Sequence, residues 1–139
     1  MYIPKHFAST DHQQTLEMLR GRGLGVLASH SSSADSGFSL QSTALPFVVD
    51  DEILSVRAHF AKANGHWRDL EGAEVLLVVQ GADAYVSPRW YPSKAADGKV
   101  VPTWNYELVR VRGVASVHHD DGWKRELVSD LTDLREARE

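Results

Sequence analysis

Five consecutive apolar residues, Val75-Leu76-Leu77-Val78-Val79, do most to constrain what this chain can fold into. A continuous apolar run of strand length reads as a strand buried on both faces, so the elements around it have to cover it. The flanking segments supply more strands. Leu24 to His30 reads as one, Phe38 to Ala44 alternates apolar and polar as its half-buried partner, and Leu45-Pro46-Phe47-Val48-Val49 follows, up to a turn at Asp50-Asp51. Ile53 to His59 gives a further strand. Gly81-Ala82-Asp83 turns the chain into Ala84 to Ser87, and Tyr106 to Val117 alternates through Leu108, Val109, Val111 and Val114. The stretch Ser31 to Gly37 is a loop by composition.

Helical signals are fewer. Thr10-Asp11-His12-Gln13 has the form of a capping box, Thr10 accepting from the Gln13 amide, ahead of Leu16, Met18 and Leu19. Gly21, Gly23 and Gly25 stop that helix. A short helix is expected from Ala61 to Leu70, and Trp123, Leu127, Val128, Leu131 and Leu134 mark a last one. About six strands with helices at the ends or sides favour an antiparallel barrel over a βαβ sheet. At 139 residues, with no internal repeat or linker, the chain reads as one domain that buries roughly 68–70% of its unfolded surface. The last helix carries no Gly or Pro stop before Glu139, which fits either fraying or a chain that ends before its fold does.

Composition narrows the function classes. Lys and Arg number 15 against 19 Asp and Glu, an acidic balance that argues against nucleic-acid binding, where a basic excess supplies much of the affinity. The absence of cysteine removes disulfides, thiolate metal sites and thiol nucleophiles, and suits a reducing cytoplasm. The opening Met1-Tyr2-Ile3-Pro4-Lys5-His6 lacks a signal-peptide core, and no apolar run approaches the roughly 20 residues that span a bilayer. A soluble, cytoplasmic protein is the expectation. The seven histidines show no metal-ligand spacing, His118 and His119 being read as adjacent residues on opposite faces of a strand. No G-x-S-x-G, G-x-G-x-x-G or Walker pattern occurs, and Gly21-Arg22-Gly23-Leu24-Gly25 precedes a strand rather than opening a helix.

Three segments carry candidate chemistry. In Arg57-Ala58-His59-Phe60-Ala61-Lys62-Ala63-Asn64 a strand gives way to a helix start, and Arg57, His59, Lys62 and Asn64 cluster where free amides favour anions. That pattern fits a phosphate site, or equally a capped surface helix with solvated charges. Tyr85-Val86-Ser87-Pro88-Arg89-Trp90-Tyr91-Pro92-Ser93-Lys94 and Val101-Pro102-Thr103-Trp104-Asn105-Tyr106 hold two of the four Trp and three of the four Tyr. A stiff, aromatic, hydroxyl-bearing loop suits a planar ring system, but it also suits a barrel cap or a dimer interface. Gln80, closing the apolar strand, could face solvent or offer a paired donor and acceptor to a heterocycle edge.

At these segments the sequence resembles the PaiB family of FMN-binding proteins, described as negative regulators of transcription. The opening heptad Met1 to Phe7, His59-Phe60-Ala61-Lys62-Ala63-Asn64 with Trp67, Tyr85 through Lys94, and Gly98 through Tyr106 carry the resemblance, which runs over essentially the whole chain. It implies a mainly β (α+β) fold, a split antiparallel β-barrel of the FMN-binding type with short flanking helices, forming a homodimer with FMN at the subunit interface. It turns the strand–helix junction into the expected phosphate site, with His59, Lys62 and Asn64. Gln80, Ser87, Trp90 and Trp104 are then expected around the ring or ribityl chain. The chain departs from the family pattern at Ala44 for His, Lys62 for Arg, Asn64-Gly65 for Asn-Pro, and Ala82-Asp83 for Pro-His. Family members also generally continue past this point with a further strand and a basic segment, so residues 1–139 are expected to be a single domain lacking that C-terminal part.

The function implied is a flavin-binding regulatory or sensor module. The alternatives are an FMN-dependent oxidoreductase or a haem-degrading split-barrel relative, with the chemistry carried by the cofactor. Direct DNA binding follows only from the family's regulatory description: Arg110 and Arg112 alternate on one strand, but Asp120 and Asp121 dilute any basic stripe, and no helix-turn-helix pattern is present.

Overall fold

The computed structural model describes residues 3–31, 39–50, 55–96 and 98–137. Most of the loop read over Ser31 to Gly37, the turn residue Asp51, and the end of the last helix at Arg138-Glu139 lie outside these residues.

Five strands and three helices follow in the order α1 (His12–Arg22), β1 (Leu24–His30), β2 (Leu40–Asp50), β3 (Ser55–Ala58), β4 (Glu74–Val86), α2 (Ser93–Ala96), β5 (Thr103–Val114) and α3 (Asp121–Glu136). The described strands form one antiparallel sheet, β3-β2-β1-β4-β5, so the count is five rather than about six. The difference arises because Gly81-Ala82-Asp83 is not a turn. β4 runs on through it as one 13-residue strand, with a register irregularity between Gln80 and Asp83 against β5. A bulge absorbs the extra residues, while the ladder on either side holds the direction.

β1 is the central strand. It pairs with β2 over Leu24 to His30 and with β4 over Val26 to Ser29. β2 changes partner along its length: Leu40 to Pro46 face β1, and Phe47 to Asp50 face β3. Pro46, which has no N–H to give to a ladder, stands at that change. The Phe47 amide instead donates to the Gly23 carbonyl at 3.0 Å.

The core lies between the sheet and α1. Leu19, Leu45, Phe47, Leu77 and Val79 form its buried cluster, with Leu27, Val49, Val56, Ala58, Phe60, Val109 and Val111 packed around it. Gly25 is required at its point on β1, since a Cβ there would fall 2.8 Å from Leu77 Cδ1 and 3.1 Å from the Val78 carbonyl. The apolar run 75–79 therefore buries one face fully: Leu77 and Val79 are sealed, whereas Leu76 and Val78 are half-buried.

α1 is capped one residue later than expected, because Asp11, not Thr10, accepts from a backbone amide, that of Gln14 at 3.1 Å. An aspartate cap also complements the positive end of the helix. Gly23, with φ 59°, ends the helix in the left-handed conformation that glycine adopts at no cost. α3 is capped by Asp120, which accepts from Trp123 N, and buries Leu127 and Leu131. His118 and His119 lie in the loop before it rather than on a strand, His118 stacked on Trp123 and His119 edge-on to Trp67.

Candidate functional site

β3 ends at Ala58, and the expected helix from Ala61 to Leu70 is instead a turn followed by a 3-10 segment, Gly65–Asp69, whose cap is Asn64. The helical start moves four residues, from Ala61 to Gly65, because Asn64 is the first side chain able to cap, and its Oδ1 accepts from the His66 amide at 3.0 Å. Asn64 Nδ2 donates to Thr43 Oγ1 at 3.2 Å, so this side chain braces the segment against β2. His59 and Lys62 are exposed, and their side chains take part in no hydrogen bond or ion pair among the described residues. Arg57 leaves the cluster: its Nη2 pairs with Asp130 of α3 at 2.6 Å.

The same segment holds a residue that sequence reasoning passed over. His66 is 3% exposed and spans two strands, its Nε2 2.8 Å from Ser29 Oγ on β1 and its Nδ1 2.8 Å from Thr43 Oγ1 on β2. Asn64 Nδ2, Thr43 Oγ1, the two ring nitrogens of His66 and Ser29 Oγ thus form one continuous hydrogen-bonded chain. Phe60 meets the ring edge-on at 5.6 Å. Burial pushes the imidazole below its ordinary pKa, against a smaller opposing pull from Asp69. No spacing rule marks a lone histidine in a turn. The only signal was Ser29 and Thr43 on neighbouring strands, two hydroxyls needing a partner.

Across the sheet, β4 and β5 run past the end of β1. β1 pairs β4 over Val75 to Val78, whereas the β4–β5 ladder continues to Val86 opposite Thr103. The outer part is a two-stranded arm with no third strand beside it among the described residues. Tyr85 faces Trp104 in register, their rings edge-to-face at 5.9 Å. Trp104 is 56% exposed and Trp90, in the following 3-10 turn Pro88–Trp90, is 70% exposed. Ser87 caps that turn, accepting from Arg89 N at 3.3 Å, and keeps its hydroxyl proton to donate. Arg89, Trp90, Tyr91, Pro92 and Lys94 line an open cavity of about 490 Å³. Gln80 stands farther back on β4, exposed, its amide donating to Asp83 Oδ2 at 3.0 Å across the bulge.

Six of the seven residues thus fall into two groups, and Gln80 stands apart on β4. His59, Lys62 and Asn64 follow one edge strand, β3, while Ser87, Trp90 and Trp104 lie at the tip of the ribbon that includes the other, β5. Among the described residues no hydrogen bond, ion pair or ring contact joins the two groups. The donor chemistry fits FMN: His59 and Lys62 are unengaged donors suited to a phosphate, and the exposed indoles of Trp90 and Trp104 are surfaces suited to a flavin ring.

The fold is split-barrel-like, a five-stranded antiparallel sheet with flanking helices. The flavocytochrome Anf3 of Azotobacter vinelandii superposes with a TM-score of 0.69 at 18% identity, over 96% of this chain and 56% of that one. The family follows from the sequence, which matches the family described as "Putative FMN-binding domain" over residues 1–139. An uncharacterised protein of Saccharomyces cerevisiae is 34% identical over 99% of this chain and 92% of its own length. "Protease synthase and sporulation protein PAI 2" of Bacillus subtilis is 33% identical over the full chain, which spans 62% of that relative's length. The chain belongs to this family, the PaiB-type FMN-binding proteins.

Proposed function

We propose that two copies of this chain hold FMN between them. His59 and Lys62 of one copy receive the phosphate, and the Trp90 and Trp104 loop of the other receives the ring. The observation that carries this reading is the two-stranded arm. A lone two-stranded ribbon is marginal in water, yet this one presents Tyr85, Trp104 and Tyr106 at 46%, 56% and 57% exposure. Exposed aromatics of this density mark interaction surfaces. In the dimer proposed, the partner that covers this arm supplies the His59 and Lys62 end of its β3.

Bound FMN supplies one- and two-electron redox chemistry. The chain's own residues bind and orient it: the cations hold the phosphate, the indoles stack, and Ser87 and Gln80 offer hydrogen bonds to polar edges. The role proposed is a flavin-dependent sensor or regulator in the cytoplasm, a location that a cysteine-free composition suits. Among the described residues no helix is long and apolar enough to cross a membrane.

Titration with FMN, followed by flavin fluorescence and by the mass of the complex in solution, tests the proposal. Saturable quenching at one FMN per chain in a dimer is expected. Binding by a monomer would remove the shared site, and the absence of binding would remove the cofactor reading for residues 1–139.

A further inference from the structure

The turn that carries Lys62 has little packing of its own. Ala61, Lys62 and Ala63 are all exposed. The Asn64 amide closes the turn by donating to the Ala61 carbonyl at 2.8 Å, and Trp67 Nε1 donates to the Lys62 carbonyl at 3.3 Å. With a small alanine on either side, the place of Lys62 is set by what holds the residues flanking the turn.

Both flanks meet at one ring. Two residues before Lys62, Phe60 lies edge-on to the His66 imidazole at 5.6 Å. Two residues after it, Asn64 Nδ2 donates to Thr43 Oγ1, the hydroxyl that lies 2.8 Å from His66 Nδ1. His66 Nε2, 2.8 Å from Ser29 Oγ, ties the same ring to the central strand β1. The imidazole is almost sealed from solvent, so water does not compete for these bonds. A buried polar chain whose members all have partners makes rigid what it joins. The acidic side chain of the segment is held away from the turn: Asp69 Oδ2 accepts from Ser31 Oγ at 2.5 Å and from Gln41 Nε2 at 3.4 Å.

We infer that His66 is a positioning residue for the flavin phosphate, gripping Phe60 directly and Asn64 through Thr43, so that the Lys62 turn is in its binding position before the ligand arrives. A turn held in advance loses less freedom on binding, which raises affinity without a new contact. His66 touches no ligand and acts through Lys62. The inference rests on the function proposed above for Lys62.

The test uses the full chain, its His66→Ala variant and Lys62→Ala in both backgrounds, with dissociation constants for FMN and riboflavin. His66→Ala should weaken FMN about tenfold and leave riboflavin, which has no phosphate, within about twofold. Lys62→Ala should cost about tenfold or more in the parent and less than about threefold on top of His66→Ala, because residues that act through one another are not additive. Should His66→Ala fail to fold, Thr43→Val takes its place, and Thr43→Ser, which keeps the hydroxyl, should restore the preference for FMN. Equal losses for FMN and riboflavin, or additive losses with Lys62→Ala, overturn the inference and leave His66 a support of the fold alone. Where the parent binds no FMN, or Lys62→Ala binds it equally well, the function proposed above fails, and hydrogen exchange in the unliganded chain decides the positioning. The Asn64 amide should then exchange about tenfold faster in His66→Ala while the amides of β4 keep their rates. No change at Asn64, or an equal change throughout, overturns the inference.

Discussion

At His66 a neutral imidazole is held between Ser29 and Thr43 with almost no exposure to water. Its pKa is lowered in the fold, so between the ordinary value of about 6.5 and the folded one only the unfolded chain takes up the proton. Stability is therefore full above about pH 6.5 and is lost as pH falls from there towards the folded value. Urea midpoints measured from about pH 7.5 down to about pH 5.5 should decline, and a His66→Asn variant should decline less. A parallel decline in both would assign the effect to other groups. Thr43→Val leaves His66 Nδ1 and Asn64 Nδ2 without their partner, and should destabilise the chain by about 1–3 kcal/mol in the same assay. At the phosphate end, Lys62→Ala should weaken FMN binding by about 1.5–3 kcal/mol with unchanged thermal stability, because Lys62 is exposed and its side chain has no partner among the described residues. An unchanged dissociation constant would take Lys62 out of the site.

Elements whose ends are set by local chemistry were legible in the sequence. β1 occupies Leu24–His30, as its pattern and the glycines before it indicate, and α3 follows its apolar spacing. What was not legible depended on partners distant in sequence. The register irregularity after Gln80 looks like a turn until β5 is seen to continue the ladder past it. The segment from Ala61 to Leu70 has helical composition, but Asn64 and His66 are bound to Thr43 and Ser29, which leaves room for only the 3-10 segment Gly65–Asp69. α3 is held largely by Leu127, which has no exposed surface, and Leu131. Leu127→Ala should cost about 2–5 kcal/mol of unfolding free energy by chemical denaturation. A loss below about 1 kcal/mol would mean that α3 is not anchored through this residue.

Across the whole molecule, both halves of the candidate site were visible in the sequence as motifs, but their relation was not. Strand order decides it, with β3 and β5 at opposite edges of the sheet. The aromatics of the arm could be read as cofactor platform, barrel cap or dimer interface. The extension of β4–β5 past β1 is what favours a surface shared between copies. Trp104→Lys places a charge on that surface, and should shift the chain from dimer to monomer in sedimentation while its circular dichroism stays native-like. A dimer that persists would place the interface elsewhere.

The central claim, that one flavin site draws on two chains, is tested most directly by mixing two variants that each fail alone. A chain carrying Lys62→Ala and His59→Ala lacks the phosphate half, and a chain carrying Trp90→Ala and Trp104→Ala lacks the ring half. Co-refolded in equal amounts, they should regain FMN binding at about one quarter of all sites, since random pairing makes half of the dimers mixed and each mixed dimer has one intact site. No recovery on mixing, with both variants folded and dimeric, would contradict the account and place both halves of the site within a single chain.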